Sequence, residues 1–247
     1  MSVRIIAGAL LLVALTVSAE DVETPANADP WESVNRKVFV FNDQVDTYLL
    51  KPVAKGYDWI TPKMVNRGIT NVFSTIGEIP SAGNSLLQGR FQDSGIALAR
   101  FSINATMGLF GIFDLATLWG IEGQKEDFGQ TLAVWGVPAG PYLVLPFFGP
   151  SNIRDTGGLA VDIYTNPLDL HEAQIDDRES GVIWSVRIVD RRADLMQFEE
   201  LIQGDRYIFL RNAYLQQRNY EINNGVVEDN FNEEEYENDD WMEESGE

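Results

Sequence analysis

The sequence predicts a mostly α-helical single domain with at most one short β-hairpin, and three observations lead there. Apolar residues recur at three- and four-residue spacings over several stretches, the repeat of a helix face. Strand-like alternation is scarce, and no long internal repeat is present. The third observation is Thr131 to Ile153 (TLAVWGVPAGPYLVLPFFGPSNI), 23 residues without one charged side chain. That length suffices to cross a hydrocarbon core, which takes about 20 apolar residues. Gly136, Pro138, Gly140, Pro141, Pro146, Gly149 and Pro150 nevertheless rule out a continuous helix. Irregular backbone at membrane depth is tolerated only where protein buries it or where it lines a watery cavity. The segment is therefore either a buried core crossing or part of a lipid-facing, pore-like element.

Residues 1–19 read as a secretory signal peptide. Arg4 supplies the positive start, Ile5 to Val17 the apolar run, and Val17-Ser18-Ala19 the small-residue cleavage site. Residues 20–28 form a flexible polar leader, and 29–225 the folded domain. The chain has no cysteine, which excludes disulfides, thiolate metal sites and thiol nucleophiles. It also removes the acceptor for a lipoprotein anchor, so any membrane attachment is expected from the folded surface.

The net charge of −20 is uneven. Residues 221–247 hold 12 of the 38 carboxylates and no Lys or Arg, leaving 26 acids against 18 bases elsewhere. The acidic tail, 226–247, is expected to stay disordered and solvated. It serves solubility or, as a tether, steers a basic partner by a salt-sensitive field. The same field disfavours nucleic acid.

Asp29-Pro30-Trp31-Glu32 opens the first helix, where Val34, Val38, Phe41, Val45 and Leu49 make one apolar stripe. Phe39, Val40 and Leu50 widen it beyond what one-sided packing needs. Lys51-Pro52 is expected to end it. Helices follow over 62–76, 81–88 and 91–107. Around the polar turn 122–127 (EGQKED) two short antiparallel arms are expected within 113–130, then a short helix over 128–136 and a strand at Tyr142 to Leu145. Residues 152–163 read as helical, and two polar helices come after Pro167: one carries Val182, Val186, Val189, Ala193 and Met196, and the other spans about 205–220.

Catalytic patterns are thin. The sole histidine, His171, follows Pro167-Leu168-Asp169-Leu170 in a loop, and no nucleophile elbow, zinc-protease motif or phosphate loop is present. The sequence points to no enzyme, no metal and no cofactor. Trp and Tyr residues instead bracket the apolar runs, as at a membrane–water boundary. Phe113, Leu118, Trp119, Trp135, Tyr142, Phe147 and Phe148 are accordingly the candidate membrane-facing or gating residues.

Ordered motifs then accumulate: D-P-W-E-S-V-N-R at 29–36, F-N at 41–42, K-P-V-A at 51–54 and L-L-Q-G at 86–89. R-F-S-I-N at 100–104, G-L-F-G-I-F-D at 108–114 and F-G-Q-T-L at 128–132 come next. W-G-V-P-A-G-P-Y-L-V-L-P at 135–146, G-P-S-N-I-R-D at 149–155, R-N-A-Y at 211–214 and N-N-G at 223–225 complete the run. Together they resemble the MlaA/VacJ family of outer-membrane phospholipid-transport proteins over about 29 to 225. The resemblance implies a ring-like arrangement of amphipathic helices around a central channel, lying in the inner leaflet of the outer membrane. It implies passage of mislocalised phospholipid from the outer leaflet to a periplasmic carrier, maintaining lipid asymmetry, with a trimeric porin as partner. It places the 122–127 turn at a hairpin near the channel mouth. Ala19-Glu20 stands where many members have the lipidated Cys, so this chain is expected not to be a lipoprotein.

Candidate residues along the lipid path are Asn35, Arg36, Asn42, Arg100 and Arg154. Asn35 and Asn42 lie two helical turns apart on one face, suited to headgroup contacts or to interhelical hydrogen bonds. Arg100 and Arg154 sit in apolar neighbourhoods and need partners if buried, with Asp114 and Asp155 the nearest candidates. As pairs they hold the fold closed; as free groups they meet a lipid phosphate bidentately. The alternatives to a channel are a soluble periplasmic lipid-binding protein with a closed apolar pocket and polar exterior, or a porin-associated adaptor.

Overall fold

The first apolar stripe builds a longer rod than its proline suggests. α1 (Glu32–Val45) passes through a π-turn (Asp46–Leu50) directly into α2 (Lys51–Ile60). The expected stop at Lys51-Pro52 is not realised, because Pro52 falls in the first turn of α2 and the widened π-turn before it relieves the clash with the preceding carbonyl. The extra residue of a π-turn rotates the helix after it by about 100°, so the apolar faces of α1 and α2 point in different directions. The computed structural model describes residues 29–167, 177–201 and 204–225. The signal segment, the leader, His171 and the acidic tail lie outside them.

The two helices expected over 62–76 and 81–88 are one, α3 (Lys63–Leu87), with Pro80 inside. Its packing along α4 (Phe91–Thr106) outweighs the one hydrogen bond that Pro80 forgoes. The seam is small and polar, with Ser81, Ala82 and Ser85 of α3 against Ser94 and Ala97 of α4 buried in it. Arg100 of α4 reaches Glu78 of α3 at 2.7 Å. α5 (Leu115–Leu118) and α6 (Phe128–Val134) are each capped by an aspartate, Asp114 and Asp127, accepting a first-turn N–H.

Between α5 and α6 the chain is an extended strap rather than a turn joining antiparallel arms. Glu126 is buried there, its N–H donated to Ser81 and its carboxylate bonded by Gln88 and Arg90. That anchoring pulls the polar EGQKED sequence down onto α3. Gly123 crosses the Arg100 side chain so closely that a Cβ there would stand 2.6 Å from it.

The expected strand is β1 (Tyr142–Leu145), and it gains a partner, β2 (Gly149–Asn152), antiparallel with Tyr142 opposite Asn152 and Leu145 opposite Gly149. Asn35 donates to the Tyr142 carbonyl at 3.1 Å and accepts the Val144 N–H at 2.9 Å. Asn42 repeats this two turns on, donating to Leu145 O at 2.9 Å and accepting from Phe147 N at 2.8 Å. α7 (Ile153–Thr165) follows with Asn152 as its cap, then α8 (Asp177–Leu195), a 3-10 turn (Met196–Leu201) and α9 (Arg206–Ile222).

Packing runs in a closed circuit. α1 lies on β1, β2 on α7, α7 on α6, α6 on α3, α3 on α8, and α8 on α2, which returns to α1. α6 and α7 approach through Gly129 and Gly158, where a Cβ on Gly158 would stand 2.4 Å from the Gly129 nitrogen. α9 spans the circuit. Tyr207 packs edge-on against Phe39 and Tyr142 and donates its hydroxyl to Asp29. Arg218, further along, grips Asp155 at 2.7 Å and Asp127 at 2.6 Å.

Among the described residues only seven apolar side chains are buried, four of them Ala, against seventeen polar or charged ones. The interior is thus a hydrogen-bonded framework with one small aromatic nucleus of Tyr142, Val144 and Tyr207. Asp155 exemplifies its electrostatics. Burial raises its pKa, but hydrogen bonds from Arg218 and Arg154 outweigh that and hold the carboxyl below its usual range. Asp162 goes the other way. It accepts the Phe128 N–H at 3.0 Å, yet burial, with Asp127 nearby, pushes it up to about 6.

Asn35 and Asp162 make this framework testable. Asn35→Ala strands the buried Val144 N–H and should lower stability by about 1–3 kcal/mol in urea unfolding. Loss of under about 0.5 kcal/mol would mean that the hairpin does not depend on that side chain. The folded state holds the Asp162 proton more tightly than the unfolded chain, whose aspartates titrate near 4. Its contribution is therefore full below about pH 4 and lost as pH rises through about 6. Asp162→Asn should flatten the fall of Tm across that window, and an unchanged slope would assign the fall to other groups.

Candidate functional site

The surface carries the apolar side chains that the interior lacks. Trp59, Phe110 and Tyr48 are 87, 85 and 81% exposed, well beyond the isolated apolar residues of an ordinary surface. No helix among the described residues is long and apolar enough to cross a membrane. The exposed groups instead decorate helix flanks and two protruding tips.

One tip is the 107–113 loop. Leu109 and Phe110 adopt left-handed φ of 54° and 59°, a strained state for non-glycine residues. The loop is held from below. Gly111 donates to Asn104 O at 2.8 Å, and its missing Cβ would stand 2.8 Å from Thr75. Leu109 and Phe110 themselves are both exposed there. The second tip is the hairpin turn, where Phe147, φ 67°, stacks edge-on against Phe41 at 5.3 Å.

Of the candidate membrane-facing residues, Phe113, Leu118, Trp119, Trp135, Phe147 and Phe148 are all exposed. Trp135 also donates its indole N–H to Leu87 O at 3.1 Å. Tyr142 is the correction. It is 2% exposed and sits in the aromatic nucleus, because alternation along β1 turns positions 142 and 144 inward.

The five lipid-path candidates fall within the framework. Asn35 and Asn42 are committed to the hairpin backbone. Arg36 pairs with Glu32 and Asp205 and lies 4.4 Å over the Tyr207 ring. Arg100 bonds Glu78, Thr117 and the Ile121 carbonyl, with Asp114 at 3.4 Å. Glu78, the closer partner, lies one α-helix away in space, beyond what sequence proximity reveals. Arg154 bonds Asp155 at 2.8 Å, and its Nη2 is buried without a hydrogen-bond partner.

A groove that no motif announced opens on α3. Gly68, Val72 and Ile76 form its floor, Ile112 one wall, and Val182 and Val186 of α8 the other. It is open to the surface and has a volume of about 650 Å³, within the usual range for organic-ligand clefts of about 300–1,000 Å³. A second cavity of about 430 Å³ shares Met64, Gly68 and Ile112 with it and brings in Lys63 and Arg67. The signal was present in KMVNRGITNVFSTI, since Lys63 and Arg67 are one turn apart beside the apolar row Met64, Gly68, Val72, Ile76. What hid it was the far wall, which comes from more than a hundred residues downstream.

The groove and the exterior thus both present apolar surface to their surroundings, and comparison with known proteins gives this chain its relatives. The intermembrane phospholipid transport system lipoprotein MlaA of Escherichia coli (strain K12) is 30% identical over 226 residues, covering 89% of this chain and 88% of that protein. The protein of the same name in Haemophilus influenzae is 32% identical over 238 residues, 92% of this chain and 94% of its own length. An uncharacterised protein of Rickettsia conorii is 37% identical over 188 residues, 75% of this chain and 74% of that one. A solved structure described as the structural basis for maintenance of bacterial outer membrane lipid asymmetry superposes with a TM-score of 0.67 at 32% identity, covering 78% of this chain and 98% of that one. The MlaA lipoprotein family matches residues 27–221, and the chain belongs to that family.

Proposed function

We propose that the protein seats in the periplasmic leaflet of the outer membrane and passes phospholipid from the outer leaflet toward a periplasmic carrier, so maintaining lipid asymmetry. The observation that carries this reading is the inversion of burial: polar and charged groups inside, Trp, Phe and Leu outside. In water an exterior of that kind is costly, and in acyl chains it is favourable. Seating through the surface also needs no covalent anchor, which suits a chain without cysteine. An exposed apolar exterior supports membrane residence over the alternative of a soluble lipid shuttle, which requires a polar one.

The circuit of packed elements supports a passage bounded by a rigid wall, since Asn35 and Asn42 tie α1 to β1, Gly129 meets Gly158 between α6 and α7, Thr131 of α6 bonds Asn84 of α3, and Asp190 of α8 bonds Tyr57 of α2 and Thr70 of α3. A trimeric porin is the proposed neighbour in the membrane plane. A porin-associated adaptor without lipid passage is the competing assignment.

Leu118→Asp with Trp119→Asp places two charges on the exposed rim of α5. The unmodified protein should stay with outer membranes through a high-salt wash, whereas this variant should move substantially to the soluble fraction. Equal retention would remove α5 from the seating surface. In cells the same variant should raise detergent sensitivity, and normal sensitivity alongside normal retention would count against the lipid-passage reading.

A further inference from the structure

We propose that the groove between α3 and α8 is a lipid subsite selective for anionic headgroups, with an acyl chain along Gly68, Val72 and Ile76 and the phosphodiester held by Lys63 and Arg67. This deepens the phospholipid reading above and rests on it. The lining of the larger groove is apolar throughout, so the groove rewards a guest with a hydrocarbon segment. The adjoining cavity keeps apolar walls in Met64, Ile112 and Phe113 but adds two cations one helical turn apart at its edge, with Asn71 beside them. A single elongated molecule with one apolar and one anionic end matches both.

The two cations are available. Among the described residues neither Lys63 nor Arg67 takes part in an ion pair, although the chain carries 38 acids against 18 bases. The buried arginines of the framework are each paired, by contrast: Arg100 with Glu78 and Arg154 with Asp155. The first turn of α3 contains no acidic residue to neutralise them. Asp190, which faces α3 from α8, is occupied by Tyr57 at 2.8 Å and Thr70 at 2.9 Å. A planar guanidinium beside a flexible ammonium suits a phosphate, with Arg giving paired N–H donors and Lys a point charge.

Gly68 joins the two halves, since it lines both cavities. A Cβ at this position would stand 3.3 Å from Ile112 Cγ2, tight but against the end of a side chain. A larger residue there fills the junction without touching the polar framework. The Ile112 backbone is held by its carbonyl, which accepts from Asn71 at 2.9 Å, so only its side chain can give way there.

The test uses the full mature protein, delipidated in detergent and offered phosphatidylcholine micelles with increasing phosphatidylglycerol, the bound lipid being identified by mass spectrometry. The unmodified protein should enrich phosphatidylglycerol. K63Q/R67Q, on exposed positions where folding is not at stake, should bind similar total lipid but lose about tenfold of that preference. G68L should lose most of the bound lipid, and Val186→Trp, which fills the groove from the opposite wall, should do the same if G68L unfolds. Soluble glycerol phosphate should not displace the lipid, and displacement would overturn the acyl-chain half of the proposal. Unchanged preference in K63Q/R67Q, or full binding in both filled variants, would overturn the site while leaving the transport reading intact. An unmodified protein that takes up no lipid at all would instead defeat the transport reading itself.

Discussion

A guanidinium or carboxylate taken out of water costs several kcal/mol unless partners meet its hydrogen bonds, and this fold has built its interior from such groups. Arg218 is the pivotal case. It joins α9 to Asp127 at the start of α6 and to Asp155 at the start of α7, and Tyr214 adds a hydroxyl to Asp155 at 2.7 Å. Remove one member and the others are stranded, so the network behaves as a unit. That demand fixes where α9 lies and brings Gly129 against Gly158. The same demand lets the apolar residues face outward, because the polar groups rather than a hydrophobic centre specify the packing.

Local pattern makes much of the fold legible. The stripe from Val34 to Val45, the helix from Phe91, the short helix from Phe128 and the strand at Tyr142 all emerge where spacing places them. Prolines mislead. Pro52 and Pro80 signal breaks in an isolated chain, but a π-turn accommodates the first, and extended packing on α4 overrides the second. The 122–127 strap departs from its pattern for a related reason. Its charges look solvated in sequence, while Glu126 is drawn inside by Gln88 and Arg90, partners some forty residues away.

The candidate site divides in the same way. Six of the seven apolar candidates are exposed, since their bulk and their position at helix ends or in glycine-rich loops are local properties. Tyr142 differs because inward and outward positions on a four-residue strand depend on which neighbour covers it, here Tyr207 from the far end of the chain. The asparagines of α1 are visible as a same-face pair, and their partner, the hairpin backbone, is not. The groove needs α8 to exist at all.

The contact between Tyr207 and Asp29 spans 178 residues of sequence, and the Asn35 staple to β1 spans 107. Closures over such separations come late in folding. During synthesis the first helix therefore emerges long before anything that can cover or position it. For that interval the chain is a sticky, unclosed arc, and exposed apolar surface of this kind aggregates readily. How soon α9 closes the circuit therefore sets how long that surface stays open to self-association.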